Sequence, residues 1–141
     1  MRQICAFTFM LVLIAQANLY AMSADEFTTL LVTHTWTGLR LPMNPYPKMG
    51  VWGGVLELEF AITDGKLTGK ITKVTGQRLP VGGSPLSEIK INVEGAKPAI
   101  SFKSRAGTTF YLTLEKNGNL VGEAWTLAND KNSVTLAPSA K

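Results

Sequence analysis

Cysteine is almost missing from this chain: Cys5 is the one thiol among 141 residues. No disulfide framework and no cysteine-based metal site can be built from it. Histidine is as scarce, with His34 alone. A zinc centre needs three or four N, S or O ligands, so no metal and no cofactor is expected. A Ser/His/Asp arrangement would have to use His34, which sits between Thr33, Thr35 and Trp36 with no nucleophile motif in reach, so a structural role is expected instead. Charged side chains make up only 17% of the chain, and the 14 basic and 10 acidic residues give a net charge of +4. Lys66, Lys70, Lys73, Lys90, Lys97, Lys103, Arg105 and Lys116 are scattered among apolar positions, as on solvated or edge-protecting strand faces. No basic run with interleaved aromatics points to nucleic acid.

Long apolar runs are also lacking. The longest, Ile4 to Ile14, is shorter than the roughly 20 residues a spanning helix needs. Preceded by Arg2 and followed by Ala15-Gln16-Ala17, it has the form of a secretory signal peptide over residues 1–17, with Ala21 and Ala24 as alternative cut sites. The expected setting is periplasmic or secreted, in a bacterium, with no stable membrane span after cleavage. Cys5 would leave with the signal, so the mature protein would be disulfide-free. Losing Arg2 leaves 13 basic against 10 acidic residues, or +3.

What is present is period-two alternation. From Gly50 to Ile62 one face carries Trp52, Leu56, Leu58, Phe60 and Ile62, the other Val51, Val55, Glu57, Glu59 and Ala61. That is a strand with one buried and one wet face. Asp64-Gly65 is a strong hairpin turn, and Leu67 to Val74 returns, with Gly69 marking a bend, a bulge or close packing against Trp52. Leu86–Glu94, Ala99–Ser104, Thr109–Glu115 and Leu120–Leu127 alternate likewise, placing Ile89, Ile91, Val93, Ile100, Phe102, Phe110, Leu112 and Leu114 inward. Asn117-Gly118 is a second hairpin turn, and Val134 and Leu136 mark a short last strand before a polar tail, 138–141. Ahead of the strands, Ser23-Ala24-Asp25-Glu26 is a capping box opening a short helix within 18–32. The expected fold is all-β: an antiparallel up-and-down barrel or curved sandwich of about eight strands over residues 33–137, with a short N-terminal helix.

Two irregular segments interrupt the pattern. Pro42 to Met49 holds three prolines, Tyr46, Met43 and Met49. It reads equally as a recognition loop and as a plug over the core. Thr75 to Pro85 is glycine-rich but lacks the Gly-Lys-Ser/Thr ending of a phosphate loop. The repeated form D/N-G-x-L-x-G, at Asp64–Gly69 and Asn117–Gly122, gives each half of the chain a hairpin of one design.

Trp52-Gly53-Gly54-Val55-Leu56, Asp64 to Gly69, Pro85-Leu86-Ser87-Glu88-Ile89 and Asn117 to Trp125 resemble calycin-like small barrels, the group that includes lipocalins and avidin-type proteins. The closest likeness is to the β-domain preceding the catalytic domain of some secreted bacterial serine hydrolases. The resemblance covers roughly Gly50 to Leu136. It implies a barrel and an exported setting. These residues hold no G-x-S-x-G nucleophile elbow, so it implies no activity.

Glu57 and Glu59 share a strand face and so pass the first test for a glycosidase carboxylate pair. Alternation alone explains them, however, as a solvated face with Lys70 alongside. The expected function is therefore non-enzymatic: a binding module for an apolar or amphipathic small molecule. Trp52, Trp125, Tyr46, Phe60 and Phe110 are its candidate ligand-binding residues. The competing expectation is an accessory or inhibitor-like module that contacts a protein partner through Met43, Tyr46, Met49, Arg78 and Leu79.

Overall fold

A computed structural model describes residues 22–43 and 54–141. Residues 1–17, expected to be a signal peptide, and Tyr46, Met49 and Trp52 lie outside the described residues. The chain opens with α1 (Ala24–Thr33), capped as its sequence directs: the Glu26 N–H donates to Ser23 Oγ at 3.1 Å. Nine strands follow, β1 (His34–Pro42), β2 (Gly54–Thr63), β3 (Lys66–Val74), β4 (Ser84–Pro85), β5 (Ser87–Asn92), β6 (Ala99–Lys103), β7 (Thr109–Leu114), β8 (Leu120–Trp125) and β9 (Lys131–Ala140). They form one antiparallel sheet in the order β4-β3-β2-β1-β9-β8-β7-β6-β5, curled into a nearly closed barrel.

The count of nine rather than about eight comes from β4 and β5. They are nearly continuous, but Ser84–Pro85 pairs with β3 while Ser87–Asn92 pairs with β6. Between them the Leu86 N–H donates to the Gly69 carbonyl at 2.9 Å. One bent segment thus stitches the two sheet edges together and removes them as templates for aggregation.

The alternation read from the sequence is largely what the barrel buries. Leu56, Leu58, Phe60, Ile100, Phe102, Phe110, Leu112, Leu120, Val134 and Leu136 all face inward and are buried. Ile62 departs from the pattern, being half exposed beside the Asp64-Gly65 turn, where β2 has run past the core. Asp64 and Gly65 both take positive φ, 52° and 76°, as a two-residue hairpin requires. Asn117-Gly118 closes a different turn. The Gly118 N–H donates to the Glu115 carbonyl and the Glu115 N–H to the Asn119 carbonyl, with Gly118 alone at positive φ. The same three-residue turn recurs at Ser104–Thr108 around Gly107 and at Thr126–Asp130 around Asn129.

Gly69 packs against Phe60 and Leu86. The β2–β3 irregularity falls instead at Glu57/Leu58. The last strand is longer than Val134 and Leu136 suggest and takes in the tail to Ala140. Pro138 fits because β8 stops pairing at Leu136, leaving β9 beyond that point with β1 alone as neighbour.

One end of the barrel is shut by α1, whose Phe27 and Leu31 are fully buried. The helix is locked to the first strand where Trp36 Nε1 donates to the Leu31 carbonyl at 3.1 Å. His34 belongs to this closure. Its Nδ1 lies 2.9 Å from the Leu30 carbonyl oxygen and 3.0 Å from Thr33 Oγ1, at the end of the helix. The middle of the barrel is filled, with Phe102 stacked on Phe110 at 4.9 Å between ring centroids and edge-on to Phe60 at 6.0 Å. The other end is the mouth. There the 75–83 segment and the turns at Ser104–Thr108 and Thr126–Asp130 surround the ends of β1, β3, β6 and β8.

Candidate functional site at the barrel mouth

Strand β1 alternates Trp36, Gly38, Arg40 inward against Leu39 and Leu41 outward. Trp36 begins the core, and Gly38 follows because β1 presses on β9. A Cβ there would meet the Thr135 carbonyl oxygen at 1.8 Å. Two residues on, the same inward face delivers Arg40, only 9% exposed. Its guanidinium lies over the Phe110 ring, with Cζ 5.8 Å from the centroid, a geometry in which the ring face attracts a cation.

Arg40 lines a cavity of about 390 Å³ at the mouth. Ile71, Val74, Leu79 and Pro80 line it with apolar surface, and Ser84, Ser104, Thr108 and Thr126 are the hydroxyl-bearing residues of the lining. Arg78 and Arg105 stand exposed at its rim. Within the site, the Ser104 and Thr126 hydroxyls accept from the backbone N–H groups of Thr108 and Asp130 and stiffen the two turns. Burial lowers the Arg40 pKa from its ordinary value, because removal from water disfavours the charged form. Nε and Nη2 are both buried without a hydrogen-bond partner among the described residues, as is Oδ1 of the buried Asn132.

Of the expected ligand-binding residues, the three that are described, Phe60, Phe110 and Trp125, do not converge on a lumen. Phe60 and Phe110 belong to the packed middle, and Phe110 approaches the mouth only as the surface beneath Arg40. Trp125 is on the outer wall, where its Nε1 donates to Glu123 at 3.1 Å and Lys131 Nζ lies 5.7 Å from its ring. It faces outward because β8 alternates Leu120, Gly122 and Ala124 inward. Hydrogen bonds from Lys131 and Trp125 hold the Glu123 carboxyl below the usual glutamate range. Of the expected interaction residues, Arg78 and Leu79 do meet at the mouth. Met43, just past β1, is exposed and donates its N–H to the Lys131 carbonyl.

Glu57 and Glu59 lie on the outer wall. Glu57 accepts from Thr37 and Thr72, and Glu59 stands 3.8 Å from Lys70. Among the described residues no group of three or more His, Cys, Asp or Glu side chains could hold a metal ion, and no helix is long and apolar enough to cross a membrane. A larger concavity, about 730 Å³, runs along the outside of β5, β6 and β7 past Lys90, Ser101 and Tyr111, open to solvent.

Arg40 is the residue that sequence reading passes over. Counting by twos from Trp36 reaches it, but an arginine in a strand is read as solvent-facing unless both neighbours are seen to be exposed. Comparison of the chain with protein-family models, curated proteins and solved structures yields no match.

Proposed function

We propose that this protein is an exported, non-enzymatic barrel of the calycin-like kind that binds an amphipathic small molecule at its mouth. The observation that carries the reading is the 390 Å³ cavity, whose lining combines apolar Ile71, Val74, Leu79 and Pro80 with hydroxyl-bearing residues and a buried cation. Binding sites are concave and mostly apolar, with a few convergent polar groups that fix orientation. The filled middle of the barrel favours a reading in which the ligand sits beyond the Phe60–Phe110 region, among the loops at the mouth. Export rests on the segment before Ala17 and on a fold that needs no disulfide.

Native mass spectrometry of the protein, gently purified from its own exported fraction, tests this. A discrete extra mass lost on denaturation supports a bound small molecule, and a bare polypeptide argues against a tightly held one. The spectrum also gives the mature N-terminus.

A second reading has one observation in its favour. Leu39, Leu41, Met43, Val81 and Leu127 are exposed apolar residues gathered at the mouth end, as on a surface that meets a protein partner. Under that reading Met43 and Leu79, with Arg78, make the contact. Co-purification of a stoichiometric polypeptide, lost when Leu39 and Leu41 are changed to serine, would favour it.

A further inference from the structure

Arg40 presents a specific pair of donors. Nε–H and the neighbouring Nη2–H lie along one edge of a guanidinium and point the same way, spaced for two oxygens of one anionic group. These are the two atoms left without partners, and no ion pair reaches Arg40 among the described residues. A buried cation with its bidentate edge empty is unfavourable unless something occupies that edge.

Asn132 adds a second observation. In the β1–β9 register Arg40 faces Val134, and Asn132 faces Pro42 one inward step nearer the mouth. Asn132 is therefore on the same inner face of the barrel as Arg40, and its Oδ1 is likewise buried without a partner among the described residues.

We propose that Arg40 anchors the head of an amphipathic ligand bearing a single negative charge on an oxyanion, a carboxylate or sulfonate, whose apolar body lies against Ile71, Val74, Leu79 and Pro80. One guanidinium is neutralised by one negative charge; a doubly charged head would leave an excess charge out of water. The exposed Arg78 and Arg105 at the rim draw anions toward the mouth. Nε and Nη2 are closed to solvent, so entry requires the Leu79 segment to move aside or the guanidinium to turn into the cavity. The inference rests on the mouth-binding reading above.

Two fluorescent probes that differ only in the charged group test it: 1-anilinonaphthalene-8-sulfonate and the neutral N-phenyl-1-naphthylamine. Titrations of the mature protein at high salt screen the contribution of the rim arginines. The wild type should bind the sulfonate at least about tenfold more tightly than the neutral probe, the scale of one charge-assisted bidentate contact. Arg40→Met should bring the ratio close to one, through the loss of sulfonate affinity. Arg40→Lys, which keeps the charge and loses the fork, should fall between. Equal affinities in the wild type, or a ratio that survives in Arg40→Met, would overturn the anion assignment and leave the apolar cavity standing, with an internal water as the guest between Arg40 and Asn132. Binding of neither probe would overturn the mouth-binding reading and this inference with it. Should Arg40→Met fail to fold, the Arg40→Lys ratio still decides, since a structural arginine would lose both probes together.

Discussion

A residue kept for binding is expected to weaken the empty fold, and Arg40 makes that quantitative. Consider Arg40→Met, which retains an unbranched apolar stem of similar reach and removes the guanidinium. Each buried donor left unsatisfied costs about 1–3 kcal/mol, and the wild type carries two, Nε and Nη2. Against this, the guanidinium over Phe110 contributes about 0.5–2 kcal/mol, and the stem packing passes to methionine. Together the two donors cost about 2–6 kcal/mol, so the balance is a gain of about 0–5 kcal/mol for the variant, a range that contains the roughly 1–4 kcal/mol commonly gained when buried charge is replaced by apolar groups. The middle of it, about 2–3 kcal/mol, raises Tm by roughly 8–12 °C in a barrel of this size, at about 4 °C per kcal/mol. Urea unfolding of wild type and variant side by side measures it, with an unchanged slope showing that the midpoint reports stability. A midpoint lowered by the substitution would refute the reasoning, because it would mean that Arg40 is satisfied inside the fold and holds the mouth together.

Other perturbations probe the remaining parts. Gly38→Ala places a Cβ on the Thr135 carbonyl oxygen; separating β1 from β9 at mid-barrel should cost at least about 3 kcal/mol in urea unfolding. At the closed end, Leu31→Ala should cost about 2–5 kcal/mol, since Leu31 is fully buried. Ser23→Ala should cost only about 1 kcal/mol, the scale of one helix cap; equal losses would contradict a helix held mainly by packing. The lowered pKa of Glu123 means that the unfolded chain takes up this proton first as pH falls. The stability difference between wild type and Glu123→Gln should be fully present above the usual glutamate range. It should shrink as pH falls through the lower folded value, and stay small because the pair is exposed.

Much of the barrel is legible in the chain. The inward face of β2 at Leu56, Leu58 and Phe60 follows from alternation, because a strand has only two faces and one of them must be dry. The Ser23 cap and the positive φ of Asp64-Gly65 follow from local chemistry that needs no distant partner. Ile62 was misplaced since alternation says which face a residue takes and nothing about where the core stops. The site is harder to read. Trp125 is a candidate ligand contact by size and aromaticity, and only the β8 register shows that it stands on the outer wall beside Glu123 and Lys131, lining a concavity of about 500 Å³ there. Arg78 and Leu79 line the mouth because the loop that carries them crosses the barrel's end, a placement that their sequence neighbours do not show.

Sequence alone determined the class of fold, the helix start, the hairpin at Asp64-Gly65 and most of the inward-facing side chains. Each depends on periodicity or on the conformational freedom of a few neighbouring residues. Tertiary structure decided how the sheet closes through the bent β4–β5 segment, which aromatics fill the middle, and that the cavity lies at the mouth. It also decided that Arg40 enters the interior with Nε and Nη2 unpartnered among the described residues. That outcome depends on Gly38 letting β1 press against β9, on Phe110 arriving from a strand some seventy residues later, and on which charges fail to arrive. Burial of a charge is a property of the closed barrel, and no window of neighbouring residues contains it.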